Sequence, residues 1–140
     1  MKSVITSLLF LAITVAATAQ DKDASSIQQA IETKNFIFKA SSATPQRGRM
    51  RQLTSEYELV VRPDTIISFL PYFGRAFTAP INPSDGGIKF TSTDFTYAAG
   101  EKKKSRWEIQ INPKDVSDVT TLYLTIFDNG SASLRVNSLN

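Results

Sequence analysis

The sequence predicts an α+β fold, in which an N-terminal helix packs on a twisted, mostly antiparallel sheet of about seven or eight strands. Three observations support this prediction. One early segment carries apolar residues at helical spacing, most of the later chain alternates apolar and polar residues, and tight turns separate the alternating segments. Because the connections are too short for helical crossovers, neighbouring strands are expected to run antiparallel.

The composition limits the possible functions. The chain has 140 residues, 41% of them hydrophobic and 21% charged, which is typical of one globular domain. It contains no Cys and no His, so disulfides, thiol nucleophiles and His-dependent triads are excluded, and the commonest transition-metal ligand is missing. The net charge of +3 is too small to indicate nucleic-acid binding. We therefore expect no catalytic residue, no metal site and no cofactor.

The first nineteen residues read as a secretory signal peptide. Lys2 supplies the positive end, an apolar run follows from Val4 to Val15, and Ala17-Thr18-Ala19 matches a small-residue cleavage site. The run is too short for a transmembrane helix, and no later segment approaches that length. An uncleaved anchor or a buried helix is the alternative. The predicted organisation is a leader over residues 1–19 and one secreted or periplasmic domain over residues 20–140.

The first elements of the domain follow from local patterns. The spacing of Ile27, Ala30 and Ile31 predicts a helix over Ser26–Lys34. A Phe-rich strand over Asn35–Ala40 comes next, and a break rich in arginine follows it. The alternation over Ser55–Arg62 predicts a strand with Tyr57, Leu59 and Val61 on one face. The turn signal Pro63-Asp64 joins it to a strand over Thr65–Leu70, as a hairpin.

The second half of the domain is predicted to be entirely β-structure. Ile88–Thr93 is a strand, and Asp94–Ala98 either continues it or starts a new one after a bend. Arg106–Asn112 alternates with Trp107, Ile109 and Ile111 inward, and Pro113–Ser117 closes it as a turn or one helical turn. The strongest strand is Val119–Phe127, with Leu122, Leu124 and Ile126 on one face. Asp128-Asn129-Gly130 predicts a hairpin with a primed turn before Ser131–Val136.

The stretch Phe69–Pro80 is the first candidate binding site, because it combines four aromatic residues with two prolines, a glycine and an arginine. Tyr72, Phe77 and Arg75 could form a stacking platform for a ligand, with Arg49 contributing a charge. The alternative is that the aromatic residues belong to the core, where most aromatic residues lie. The expected ligand or partner is a small polar or anionic molecule, or an envelope protein, with no nucleic acid involved.

Two cationic clusters and one pair of carboxylates are further candidates. If the chain is extended there, Arg47, Arg49 and Arg51 point the same way and could bind an anion. A second cationic patch spans Lys102–Arg106. Glu56 and Glu58 share a strand face and could act as the paired carboxylates of a glycosidase. Solvated loops and a polar outer sheet face are the alternative explanations.

The order of motifs resembles a known family. Tyr57–Val61 precedes Leu70-Pro71-Tyr72-Phe73-Gly74-Arg75-Ala76-Phe77, then come Gly87–Phe90 and finally Asn129–Val136. Over about Ala24–Asn140 the chain is similar to the secreted domain of unknown function 4251 family of Bacteroidetes-type bacteria. The resemblance implies no assigned activity.

The functional expectation is therefore a non-enzymatic binding or envelope module. A carboxylate-dependent hydrolase acting on envelope or dietary glycans is one alternative, for which Glu56 and Glu58 would be the residues. A structural or inhibitory partner of another envelope protein is the other, since an exposed sheet edge would allow such pairing.

Overall fold

The computed structural model describes residues 16–45, 47–71 and 87–139. Within these residues one helix precedes eight strands, which form two separate four-stranded antiparallel sheets. The helix is α1 (Ala16–Glu32). The strands of the first sheet are β1 (Phe36–Ala43), β2 (Arg51–Val61), β3 (Ile66–Leu70) and β4 (Ile88–Ser92). The strands of the second sheet are β5 (Phe95–Ala99), β6 (Arg106–Pro113), β7 (Val119–Phe127) and β8 (Ala132–Ser138).

The prediction of one sheet of seven or eight strands is wrong, because the chain changes sheet between β4 and β5. The carboxylate of Asp115 accepts hydrogen bonds from the Ser92 hydroxyl and from the backbone amides of Thr93, at 2.9 Å, and Asp94, at 3.2 Å. These bonds fix the bend at residues 93–94. β5 then pairs with β6, and β4 pairs with β3. Of the two alternatives for Asp94–Ala98, the new strand is correct.

The inward faces of both sheets and one side of α1 form a single core. Its fully buried members include Leu59, Val61 and Ile66 from the first sheet. The second sheet supplies Trp107, Ile109, Ile111, Leu122, Leu124 and Ile126. Burying an aliphatic side chain of this size contributes about 1.5–3 kcal/mol. The predicted inward faces of these strands are confirmed.

Tyr57 departs from the predicted face. It is half-buried and stacks on Phe69 with ring centroids 5.3 Å apart. Phe69 lies on the outer face of β3, because it alternates with the buried Ser68 and Leu70. β2 is irregular just before this residue. Tyr57 still pairs with Ala40 of β1, but the next pair is Ser42 with Gln52, so residues 53–56 have no regular partner position.

The helix starts earlier and ends sooner than predicted. It runs from Ala16 to Glu32, and Lys34 adopts a left-handed conformation with φ of 53°. The amide of Asn35 donates to the carbonyl of Ala30 at 2.9 Å, and the amide of Lys34 donates to that of Ile31 at 3.2 Å. This pair of bonds is a Schellman motif, which closes a helix by satisfying its last carbonyls.

The hairpins around Pro63-Asp64 and Asn129-Gly130 are confirmed, but the second does not have the predicted primed turn. Only Gly130 has a positive φ, 83°, and Asn129 does not. The loop instead matches the three-residue pattern that ends in a left-handed glycine. Residues 113–117 form no helical turn, since Pro113 ends β6 and bends follow it.

Candidate functional site

A cleft of about 570 Å³ lies between α1, the first strand and the β7–β8 hairpin. Its volume is within the range of small-ligand sites in proteins. The back wall is formed by Leu124 and Ile126 of β7, both of which belong to the buried core. The cleft is therefore an extension of the hydrophobic core to the surface.

The helix supplies one side wall through Ile27, Ala30 and Ile31. These residues are three and four positions apart, so they share one face of the helix. Ile31 is 2% exposed and anchors the stripe in the core. Since the helix ends at Glu32, the cleft lies beside its last turns.

A contact with the second sheet holds the end of the helix in place. The hydroxyl of Tyr97, on β5, donates a hydrogen bond to the carbonyl of Ile31 at 2.9 Å. Partial burial raises the pKa of Tyr97 to about 12, so this hydroxyl remains protonated at neutral pH. The ammonium of Lys34 lies 5.3 Å from the centre of the same ring.

The first strand supplies the opposite wall through Phe36, Ile37, Phe38, Lys39 and Ser41. Consecutive residues of a strand point to opposite faces of the sheet. A cleft that touches both sets must therefore run along the edge of β1, rather than over one face of it. β1 is the outer strand of the first sheet within the described part of the chain.

Among the described lining residues, three have polar side chains. These are Lys39 and Ser41 of β1, and Ser131, which leads into β8. The Ser131 hydroxyl donates to Asn129 at 2.7 Å. Lys39 is exposed and makes no ion pair with any of the described residues. Among the described residues, the cleft thus combines a mostly apolar lining with one cationic side chain, that of Lys39.

Of the residues predicted as a binding site, Arg49 lies within the described structure, and it does not line this cleft. Tyr72, Phe77 and Arg75 lie outside the described residues, so their arrangement stays a prediction. Arg49 is exposed in the loop between β1 and β2. The extended geometry that would align the three arginines is interrupted by a bend at Arg47 and Gly48, where Gly48 has φ of 141°.

Two of the four cations in the second cationic patch make contacts within the protein. Lys102 lies 3.9 Å from the Asp128 carboxylate and 5.0 Å from the centre of the Trp107 ring. Arg106 pairs with Glu108 at 3.3 Å. The contacts of Lys102 and Arg106 thus have a structural explanation, whereas Lys103 and Lys104 are exposed.

The two glutamates occupy different environments. Glu56 is exposed and falls in the irregular part of β2. Glu58 is half-buried and lies opposite Lys39 on β1 and Phe69 on β3. The described residues contain no group of three Asp or Glu side chains that could hold a metal ion.

The cleft could not be predicted from the sequence because its walls come from distant segments. Each wall is predicted separately by a local pattern. The Ile27–Ile31 stripe has helical spacing, and the two phenylalanines of β1 lie on one face of a strand. What the sequence did not show is that β1 and the start of β8 leave a gap beside the helix.

The fold and the cleft together define a class of protein: a mostly antiparallel β-protein with one helix and a ligand-sized cleft at a sheet edge. The family model described as Domain of unknown function (DUF4251) matches residues 18–140, and the chain belongs to this family. Neither a curated protein nor a solved structure matches the chain. No helix in the described ranges is both long and apolar enough to cross a membrane.

Proposed function

We propose that this protein is a non-enzymatic binding module, secreted or periplasmic, whose ligand site is the cleft beside α1. The single observation that supports this proposal is the cleft itself, which opens the hydrophobic core between a helix and a sheet edge. Solvent-accessible space with an apolar lining and few polar groups is typical of ligand sites.

The predicted leader supports the location. Residues 1–19 combine a positive start, an apolar run and a small-residue cleavage site. Recovery of the protein from the exported fraction of cells that express the full sequence is the corresponding check. Retention of the whole product inside the cells would count against this location.

The test of the site is to fill the cleft. Ala30 lies on the helix wall, and Ala30→Trp would place an indole ring in the cleft. Anilinonaphthalene sulfonate is a suitable probe, because it has an apolar body and an anionic group that matches Lys39. We expect Ala30→Trp to weaken binding of this dye about tenfold or more, which corresponds to about 1.4 kcal/mol.

Ala98→Trp is the matched control, since Ala98 is exposed on β5 and does not line the cleft. Dye fluorescence titration measures the affinity, and thermal unfolding checks that both variants fold. If the two variants bind the dye equally well, the cleft is not the site and the proposal fails.

A further inference from the structure

We propose that the ligand of the cleft is an extended peptide segment, which adds to β1 as a further antiparallel strand of the first sheet. This inference rests on the proposed function, because it assigns the ligand class of the same site. It goes beyond that function in requiring that main-chain hydrogen bonds, and not only apolar contacts, hold the ligand.

The position of the cleft along the strand carries the proposal. Phe36, Ile37, Phe38 and Lys39 are consecutive, and all of them line the cleft. Because neighbouring side chains alternate between the two faces of a sheet, such a lining places the cleft alongside the strand. A ligand in the cleft therefore meets the edge of the sheet, where main-chain groups are presented.

The edge of β1 offers hydrogen-bonding groups in a regular array. β1 pairs with β2 on one side, and no other described strand pairs with it. In an antiparallel sheet, alternate residues of an outer strand direct their N–H and C=O groups away from the sheet. An extended peptide matches this array with its own main chain, which an apolar small molecule cannot do.

The length of the site follows from the strand. Residues 36–41 span about 17 Å at the rise of an antiparallel strand. The pairing of β1 shifts register between Ala40 and Ser42, and this irregularity ends the regular edge. The site therefore takes a segment of about five or six residues.

The two faces of the site select different side chains. On the inner face, Phe36 and Phe38 line the cleft together with apolar residues of the helix, so alternate residues of the ligand should be apolar. On the outer face, Lys39 lies opposite Glu58 of β2 on the paired side, but the two side chains make no direct ion pair, and Lys39 makes none with the other described residues. An acidic residue opposite Lys39 would supply one, since oppositely charged pairs across strands are favourable.

The test uses a peptide with this pattern, acetyl-Thr-Val-Glu-Val-Thr-Val-Thr-amide, and two isomers that are N-methylated at alternate residues. Both isomers have the same composition, but only one loses the amides that would face β1. We expect that isomer to bind about tenfold more weakly or worse than the other, as loss of main-chain hydrogen bonds predicts. Equal affinities of the two isomers would overturn strand addition, as would no binding of the parent peptide.

A charge exchange tests the orientation. Lys39→Glu should weaken binding of the parent peptide and strengthen binding of the version in which lysine replaces its glutamate. Lys114→Glu is the control, because Lys114 is exposed and outside the cleft lining. If Lys39→Glu and Lys114→Glu change peptide affinity equally, Lys39 does not contact the ligand and the assigned register is wrong.

The dye experiment separates the two proposals. If the dye binds and Ala30→Trp lowers its affinity, but the peptide does not bind, the cleft is a ligand site and not a strand-addition site. If neither the dye nor the peptide binds, both proposals fail. If the peptide binds and Ala30→Trp weakens it more than Ala98→Trp does, both are supported.

Discussion

Tyr97 joins the second sheet to the end of the helix through one hydroxyl group. The carbonyl of Ile31 accepts a hydrogen bond from this hydroxyl at 2.9 Å, and a longer one from the Lys34 amide at 3.2 Å. The ring of Tyr97 is half-buried. Removal of the hydroxyl alone would therefore test this connection without changing the packing of the ring.

We expect Tyr97→Phe to lower the free energy of unfolding by about 1 kcal/mol, the usual net value of a partly buried hydrogen bond. Tyr123→Phe is the control, since Tyr123 is also half-buried and its ring lies against Arg135. Urea unfolding of both variants gives the comparison. A loss no larger for Tyr97→Phe than for Tyr123→Phe would show that the hydroxyl does not stabilise the helix.

Two hairpin turns show how single residues limit prediction. Asn129-Gly130 has the preferred sequence for a primed turn, yet forms a three-residue loop. The primed geometry occurs instead at Lys104 and Ser105, with φ of 48° and 66°, between two reciprocal bonds of Lys103 and Arg106. Residue preference favours a primed turn at Asn129-Gly130, but the primed turn forms in the connection that pairs β5 with β6.

At the scale of elements, the β5–β6 turn carries conformational strain. A left-handed conformation costs a residue other than glycine about 1–2 kcal/mol. Glycine removes this cost, but it also makes the unfolded chain more flexible. The added flexibility lowers the free energy of unfolding by about 0.4–1 kcal/mol and so offsets part of the gain. We therefore expect Ser105→Gly to raise the free energy of unfolding by about 0.5 kcal/mol.

Ser133→Gly is the matched substitution within a strand, because Ser133 is exposed in β8. It should lower stability, since glycine is unfavourable inside a strand. Chemical unfolding of the two variants should thus give changes of opposite sign. A decrease for Ser105→Gly would mean that the turn is not strained.

Most elements were predictable because their patterns are local. The alternation over Val119–Phe127 predicts the bounds of β7 as the structure has them, together with its inward face. The inward face of β6 follows in the same way from the alternation over Arg106–Asn112. The register shift in β2 was not predictable, because it depends on how β1 pairs with that strand. The cleft depends in turn on the edge of β1, so the site was harder to predict than the strands.

At the scale of the whole molecule, Asp115 connects the two sheets. It lies after β6, and it binds the bend that leads out of β4. The hydrogen bonds from Ser92 and from the Thr93 amide lower the pKa of Asp115 to about 2, from a model-peptide value of 3.8. The division into two sheets was not predictable, since it depends on a contact between residues more than twenty positions apart.

This contact should make stability depend on acidity. The carboxylate is ionised in the folded protein at a lower pH than in the unfolded chain, so its contribution is fully present above about pH 4. The contribution is lost as the pH falls from about 4 to about 2. Asp115→Asn should therefore be less stable than the native protein at pH 7, and should lose less stability between pH 4 and pH 2.

Asp118→Asn is the control for this prediction. Asp118 is exposed, and its carboxylate accepts a hydrogen bond from the neighbouring Ser117. Urea unfolding at pH 7, 4 and 2 would compare the three proteins. If Asp115→Asn retains the full acid dependence of the native protein, the connection between the sheets does not rest on this charge.

The contact between α1 and β5 also has a consequence for the order in which the protein assembles. Ile31 and Tyr97 are separated by 66 positions in the chain. Contacts between such distant residues form slowly, because a long loop must close before they can be made. The helix is synthesised before β5, so this contact can form only after the start of the second sheet has been made. We therefore expect the helix, the first described element, to complete its packing late in assembly.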